Sequence, residues 1–398
     1  MAATGKIENE EYFNFINSIK SDETRVQYES KLKLFMKFCN ISDMNELKNI
    51  DAQKYLIQYI SELRNNKLSS SAINGRLYPV FHFYEMNDIV LNKKKIKMFQ
   101  GEYVKRARDR AYTHEEISRI LNVSDLRMKV IILLMASSGM RIGSIPTLRL
   151  RNLEKRDQLD KVYKIIIYEN SSEEYYTFCT PECASFIDLY LEYRQKNGEK
   201  LDKDSFLIRD QFDITDMEQI RNKSRGISLS TITTILHFVL IKAGVKVVDH
   251  TSKHIRKEVS SSHGFRKFFT TQAVNSKVNP EIREMLLGHK IGLASAYYRP
   301  TEQEMLDEYM KAVNELTINE ENRLKIKVQL LERDKVTYEK LDAKIDALAR
   351  AFYQNNVTVD GPEGEGRPLT EEEIEQRLQQ RRIRANLRRQ SEQRLSEI

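Results

Sequence analysis

The sequence predicts a mainly α chain with a small β-sheet, an α+β fold built in several parts. Three observations carry that expectation. Helix-period apolar stripes dominate residues 8–98, a two-strand pattern interrupts a mostly helical middle, and a seven-residue apolar repeat opens the C-terminal part. With 398 residues, the chain is long enough for two or three domains that each bury their own core.

Residues 8–98 read as a helical domain of four to five helices. "TRVQYESKLKLFMKFC" places Val26, Tyr28, Leu32, Leu34, Phe35 and Phe38 largely on one stripe, and "AQKYLIQYISELRNN" does so with Tyr55, Leu56, Tyr59, Ile60 and Leu63. "SSSAINGRLYPVFHFYEM" follows, with a Ser run suited to helix capping. Nothing in this domain has an obvious catalytic group. Residues 99–110 then form a basic connector inside "NKKKIKMFQGEYVKRARDRAYT". Here Lys93, Lys94, Lys95, Lys97, Lys105, Arg106, Arg108 and Arg110 outnumber the acids Glu102 and Asp109. Such a stretch is either a solvated linker or a tract that follows a phosphate backbone.

Residues 111–313 are mixed but mostly helical. Thr113 and the acids after it open a helix, and "LRMKVIILLMASSGMR" reads as a buried helix ending in small residues. "KVYKIIIYENSSEEYYTFCTPE" reads as a β-hairpin, after which Thr180-Pro181-Glu182 supplies an N-cap, a Pro at the first helical position and an early acid. From 314 to 352 the pattern changes. Leu324, Leu331, Tyr338, Ile345 and Phe352 recur every seven residues, Leu341 and Leu348 add a second seam, and Lys335 and Asp342 are weak points in the resulting coiled-coil pattern. Residues 353–369 contain the Gly/Pro breaks of a linker, and Thr370 with Glu373 forms a capping box for a last charged segment, 370–398. That segment reads as a helix or as a solvated, partly disordered tail.

Composition excludes several classes. Lys plus Arg (65) exceed Asp plus Glu (58) by seven and the pI is near 9.0, a mild surplus compatible with a polyanionic partner. Cys39, Cys179 and Cys183 are too few for a disulfide framework and point to a reducing compartment. The polar N-terminus lacks a signal-peptide core, and no apolar run approaches a membrane span. The expectation is a soluble cytoplasmic protein with no membrane partner. Cys179-x-x-x-Cys183 and His250-x-x-x-His254 have ligand-like spacings, but Cys183 falls on a helix core, Cys179 ends a strand and no second close Cys pair exists, so no zinc site is expected.

Three local motifs could carry chemistry. "SSGMRIGSIPTLRLRNL" runs a buried helix into Gly139 and presents Arg141, which alone reads as a helix C-cap with an exposed Arg. "SSSHGFRKFFTTQAV" sets His263 and Arg266 three positions apart, and in "LLGHKIGLASAYYRP" Tyr298 follows His289 by nine positions. Each is weak by itself. In this order, over about 160 residues behind a small helical domain, they closely resemble the tyrosine recombinase (phage integrase) family. The resemblance covers residues 8–312, and the "AYYRPTEQEML" ending is most similar to archaeal members. One departure is Ser144, which stands where the family's first motif has an acid.

The resemblance implies a helical core-binding domain and a recombinase catalytic domain that together clamp duplex DNA, with four protomers on two sites. It implies a site-specific recombinase or integrase that forms a 3′-phosphotyrosine link and needs no ATP, metal, other cofactor or small-molecule substrate. Arg141 and Arg266 would grip the non-bridging oxygens, Tyr298 would attack phosphorus, His263 would assist proton removal and His289 would hydrogen-bond a non-bridging oxygen. The residue types suit this work, since guanidiniums bind phosphate bidentately and stay charged while charge spreads in the transition state. A cationic pocket is expected to help the phenol ionise. Tyr297 competes as nucleophile, and the family's nine-residue step selects Tyr298. Lys93, Lys94, Lys95, Lys105, Arg106 and Arg108 are the expected DNA contacts. The family's general acid, a hairpin Lys, has no counterpart in the turn from Glu169 to Glu174, and the nearest lysines, Lys161 and Lys164, lie just before or early in the first strand. The acid is therefore unassigned. Two other readings stay open, a type IB topoisomerase and a catalytically weakened DNA-binding architectural protein.

Overall fold

A computed structural model of the chain describes residues 10–101, 110–156, 162–222, 224–246, 259–290, 297–356, 358–360 and 366–396. The chain divides into two compact units, Met1–Arg110 with Val247–Ser260, and Ala111–Lys246 with Ser261–Ile398. The fold is mainly helical with a small antiparallel sheet, as the sequence predicts. No described helix is long and apolar enough to cross a membrane.

The first unit holds α1 (Glu10–Asn17), α2 (Asp22–Cys39), α3 (Ala52–Asn65), α4 (Ser70–Met86) and α5 (Lys93–Met98). Side-chain caps start four of these, as Ser21, Asp51, Ser69 and Asn92 each accept a bond from a first-turn backbone N–H. Their apolar stripes meet in one core that includes Phe15, Leu32, Phe35, Leu56, Ile60, Leu77 and Phe83. The Tyr84 hydroxyl donates to the Leu47 carbonyl inside that core at 2.9 Å, so its polar end is satisfied.

In the second unit, α6 (His114–Asn122) opens on a complete capping box between Thr113 and Glu116. The following α7 (Leu126–Ser138) is buried on nearly every side, as its unbroken apolar run requires. It ends at Gly139, which has φ of 66°; a Cβ there would sit 2.7 Å from Phe269 and 2.8 Å from Leu287. Gly139→Ala therefore combines a disfavoured backbone with a steric clash, and should lower stability by about 2 kcal/mol or more. A denaturant midpoint within error of the unchanged protein would contradict this packing.

The sheet runs β1 (Leu153–Arg156), β2 (Val162–Ile167), β3 (Tyr175–Cys179), all antiparallel, with Glu154 opposite Lys164 and Ile167 opposite Tyr175. The hairpin of β2 and β3 follows the sequence pattern, but β1 ("LEKR") has no apolar alternation and exists because it pairs with the open edge of β2. Thr180 caps α8 (Pro181–Lys196) with Pro181 at its first position. Further along come α9 (Met217–Asn222), α10 (Leu229–Lys242), α11 (His263–Asn275), α12 (Pro280–Leu286) and α13 (Glu302–Leu316). A buried Glu199 takes bonds from Arg194 (2.7 and 2.9 Å) and Arg209 (2.8 Å), so two interior guanidiniums share one carboxylate.

The C-terminal part consists of α14 (Glu320–Asn356), β4 (Thr358–Asp360), β5 (Gly366–Pro368) and α15 (Glu371–Ser396). Glu182 of α8 accepts from the backbone N–H groups of Ile318 (2.7 Å) and Asn319 (3.0 Å), which fixes where α14 leaves the body. Returning along α14, α15 packs Leu369, Ile374 and Leu378 against Ala349 and Tyr353, while Arg381 and Arg382 hold Asp346. The heptad residues Leu324, Leu331, Tyr338, Leu341, Leu348 and Phe352 are each more than half exposed, and Ile345 is half-buried. Within one chain, then, the seven-residue repeat faces outward except at Ile345.

Candidate active site

Arg141, Arg266 and His289 come together in the second unit where three chain segments end. The C-cap of α7 turns the chain at Gly139, and Arg141 emerges exposed from the extended residue that opens a short 3-10 turn, Ile142–Thr147. Ser144, in place of an acid, is fully buried and donates from its hydroxyl to the Arg141 carbonyl at 2.7 Å. It braces the backbone of Arg141 without touching its charge.

Arg266 is only 6% exposed. Its guanidinium donates to the carbonyls of Gly139 and Leu287, both at 2.6 Å, and to His289 Nε2 at 2.7 Å. Burial first, and then the charge of Arg141, push its pKa below the ordinary arginine range, so the two guanidiniums are electrostatic neighbours. Two like charges held together in this way favour an anion between them. His263 is the first residue of α11, exposed, and one turn before Arg266 on the same helix.

His289 is engaged at both ring nitrogens. A guanidinium has no acceptor, so Nε2 must accept from Arg266, and Nδ1 carries the hydrogen that it donates to Glu284 at 2.6 Å. In this state Nε2 orients Arg266 and is not available to donate to a phosphate oxygen. Burial tends to raise the Glu284 carboxyl, but the bonds from His289 and Arg283 hold it below its usual range. Gly288, between Leu287 and His289, has φ of 66° and no room for a Cβ, which would lie 2.5 Å from the Tyr175 ring.

Tyr298 is placed differently from expectation. The charges around its phenol are the carboxylates of Glu304, Glu308 and Glu281, and not the two guanidiniums. Partial burial first, then these carboxylates, raise its pKa, which is the reverse of the assistance expected from a cationic pocket. Tyr297 points out to solvent at 90% exposure.

Several neighbours were not read from the sequence. Tyr175 lies beside both guanidiniums, and burial raises its pKa while the charges of Arg266 and Arg141 pull it back. Glu284 was missed because an acid five residues before a histidine is an ordinary feature of a helix end. Glu173, in the hairpin turn, pairs with Lys290 at 2.9 Å across 117 positions of chain, a distance no local pattern bridges.

Lys164 is committed elsewhere. It bonds Glu302 at 2.8 Å and Glu154 at 3.3 Å and lies over the Tyr176 ring, and its side chain is only 13% exposed. It is thus no candidate for the missing hairpin Lys, while Lys161 lies outside the described residues. Lys93 pairs with Glu85 at 2.9 Å, and Lys94 and Lys95 are exposed on α5 of the first unit. Lys105, Arg106 and Arg108 lie outside the described residues. Cys179 and Cys183 are buried free thiols, His250 and His254 fall outside the described residues, and no group of three or more possible metal ligands occurs among the described ones.

Comparison with known proteins gives consistent results. Residues 110–304 match the model described as the phage integrase family. The tyrosine recombinase XerC of Leptospira interrogans is 21% identical over 322 residues, covering 76% of this chain and 93% of that relative. The tyrosine recombinase XerA of Pyrococcus horikoshii is 19% identical over 258 residues, covering 64% of this chain and 79% of that one. Among solved structures, the integrase of transposon Tn1549, in complex with circular intermediate DNA, superposes with a TM-score of 0.51 at 14% identity, covering 75% of this chain and 97% of that chain. That last likeness is one of fold.

Proposed function

Since the chain belongs, through residues 110–304, to the phage integrase family of tyrosine recombinases, we propose that it is a site-specific DNA recombinase that cleaves and rejoins duplex DNA through a 3′-phosphotyrosine link. The single observation that carries this reading is the pairing of Arg141 with Arg266, two guanidiniums near enough for their charges to act on one another, with no carboxylate in direct contact with Arg266 among the described residues. Such a pair suits the spreading negative charge of a phosphoryl transfer and needs no metal ion to supply it. Tyr298 supplies the nucleophile and His263 takes its proton, once the phenol has moved from its carboxylate neighbours to the phosphate. The covalent link conserves the bond energy, so rejoining needs no ATP.

The basic residues Lys93, Lys94, Lys95, Lys105, Arg106 and Arg108 supply phosphate contacts that position the duplex. Four protomers on two sites complete the exchange, and the outward heptad face of α14 offers one surface for contacts between them.

The test uses duplexes selected from a randomised pool by binding to the full chain and then nicked so that the fragment beyond the cleaved phosphate diffuses away. A protein–DNA band that survives denaturation is the expected result, and a tetramer on the paired sites is expected by sedimentation. The Lys-free turn from Glu169 to Glu174 favours one second reading, a DNA-binding protein that no longer cleaves. Tight binding with no covalent band on any selected duplex would establish that reading instead. Supercoil relaxation without recombinant products would point to a topoisomerase.

A further inference from the structure

Expulsion of a 5′ alkoxide from phosphorus needs a proton at the leaving oxygen, and the turn that supplies a lysine in the resembled family holds Glu173 here. We infer that Lys290, the residue after His289, is the proton donor to that oxygen, and that Glu173 positions it. The inference rests on the strand-transferase reading above.

The argument starts from chemistry. A guanidinium cannot give up its proton, so neither Arg141 nor Arg266 can act as the acid, whereas an ammonium can. Lys164 is enclosed by two carboxylates and a ring. Lys290 instead stands at the edge of the guanidinium pair. Its Nζ bonds Glu173 Oε1 at 2.9 Å, and the Glu173 carboxyl is held below its usual range first by Lys290 and also by Arg141. Both cations therefore act on one carboxylate.

The backbone beneath Lys290 is fixed. The His289 N–H donates to the Glu284 carbonyl at 2.9 Å, the His289 ring is held on both sides, and Gly288 is pressed against Tyr175. The ammonium itself is free to be handed over, since the pair is open to solvent, with side chains 79% and 57% exposed. Exposed pairs of this kind are weak, and a DNA phosphate competes with the carboxylate easily. The pair also explains how an acid is tolerated in a turn that faces DNA, because Glu173 brings its own counter-charge.

In the cleavage step the Tyr298 oxygen forms a bond to phosphorus as the bond from phosphorus to the 5′ oxygen breaks. The phenol proton passes to His263, and a proton from Lys290 Nζ passes to the departing oxygen, leaving a 5′-hydroxyl and a neutral amine. Rejoining reverses each transfer, and the amine takes the proton from the attacking hydroxyl.

The test compares two forms of the selected nicked duplex, one with the ordinary 5′ bridging oxygen and one with sulfur there, whose thiolate leaves without a proton. Lys290→Ala and Lys290→Arg should each form the covalent complex about 10²–10⁴-fold more slowly on the oxygen substrate and near the unchanged rate on the sulfur substrate. Glu173→Gln should show a smaller, still oxygen-selective loss. Equal loss on both substrates, or no loss on either, would overturn the assignment. Failure of the unchanged protein on both substrates would remove the strand-transferase reading itself.

Discussion

Arg266→Ala should lose both DNA cleavage and folding stability, whereas Arg141→Ala should lose cleavage alone. The difference follows from burial. Arg266 is nearly enclosed and ties two carbonyls and one imidazole from three segments of chain. Removing it leaves those acceptors without donors, which costs about 2 kcal/mol after allowing for the relief of its repulsion with Arg141. Arg141 is exposed, and its loss should change stability by no more than about 0.5 kcal/mol. Both variants should form the covalent complex at least about 10³-fold more slowly, because in the proposed reaction each guanidinium stabilises charge on the transferring phosphate. Arg141→Lys should recover little of this, since an ammonium lacks the planar fork. Chemical denaturation alongside covalent-complex assays checks both halves. An Arg141→Ala protein that cleaves normally would dismantle the two-guanidinium reading.

The second large effect concerns the nucleophile. Tyr298→Phe should abolish the covalent complex, while duplex affinity and thermal stability stay within experimental error. Tyr297→Phe should leave cleavage near the unchanged rate, consistent with a side chain turned out to solvent. The reverse outcome would transfer the role to Tyr297. A third substitution examines the placement seen here. Burial and then the charges of Glu304 and Glu308 raise the Tyr298 phenol, so Glu308→Gln should ease its ionisation and speed cleavage modestly. A slower reaction in that variant would mean the acids assist the nucleophile.

Part of the candidate site was legible because its residues belong to local patterns. Arg141, Arg266 and His289, which the structure brings together, each sit at a fixed step from a glycine or from another residue of the set. The hairpin and the Thr113 and Thr370 capping boxes are similarly local. What escaped depends on contacts between distant segments. Lys164 is held by Glu302, 138 positions away, a partner that the sequence around Lys164 does not reveal. The bond between Arg266 and the Nε2 of His289 was hidden in the same way, since spacing does not reveal which nitrogen is occupied. A further local signal is Thr301-x-x-Glu304, a complete capping box that starts α13 just after Tyr298. β1 carried no signal of its own and could only be found from its partner strand.

The junction between Glu182 and the start of α14 has a hydrodynamic consequence. A helix of 37 residues is about 55 Å long, and here it begins at a clamped point with α15 folded back along it. A spin label or fluorophore fixed on its outward face should therefore tumble with the slow rotational correlation time of the whole body, and not with the fast motion of a tethered tail.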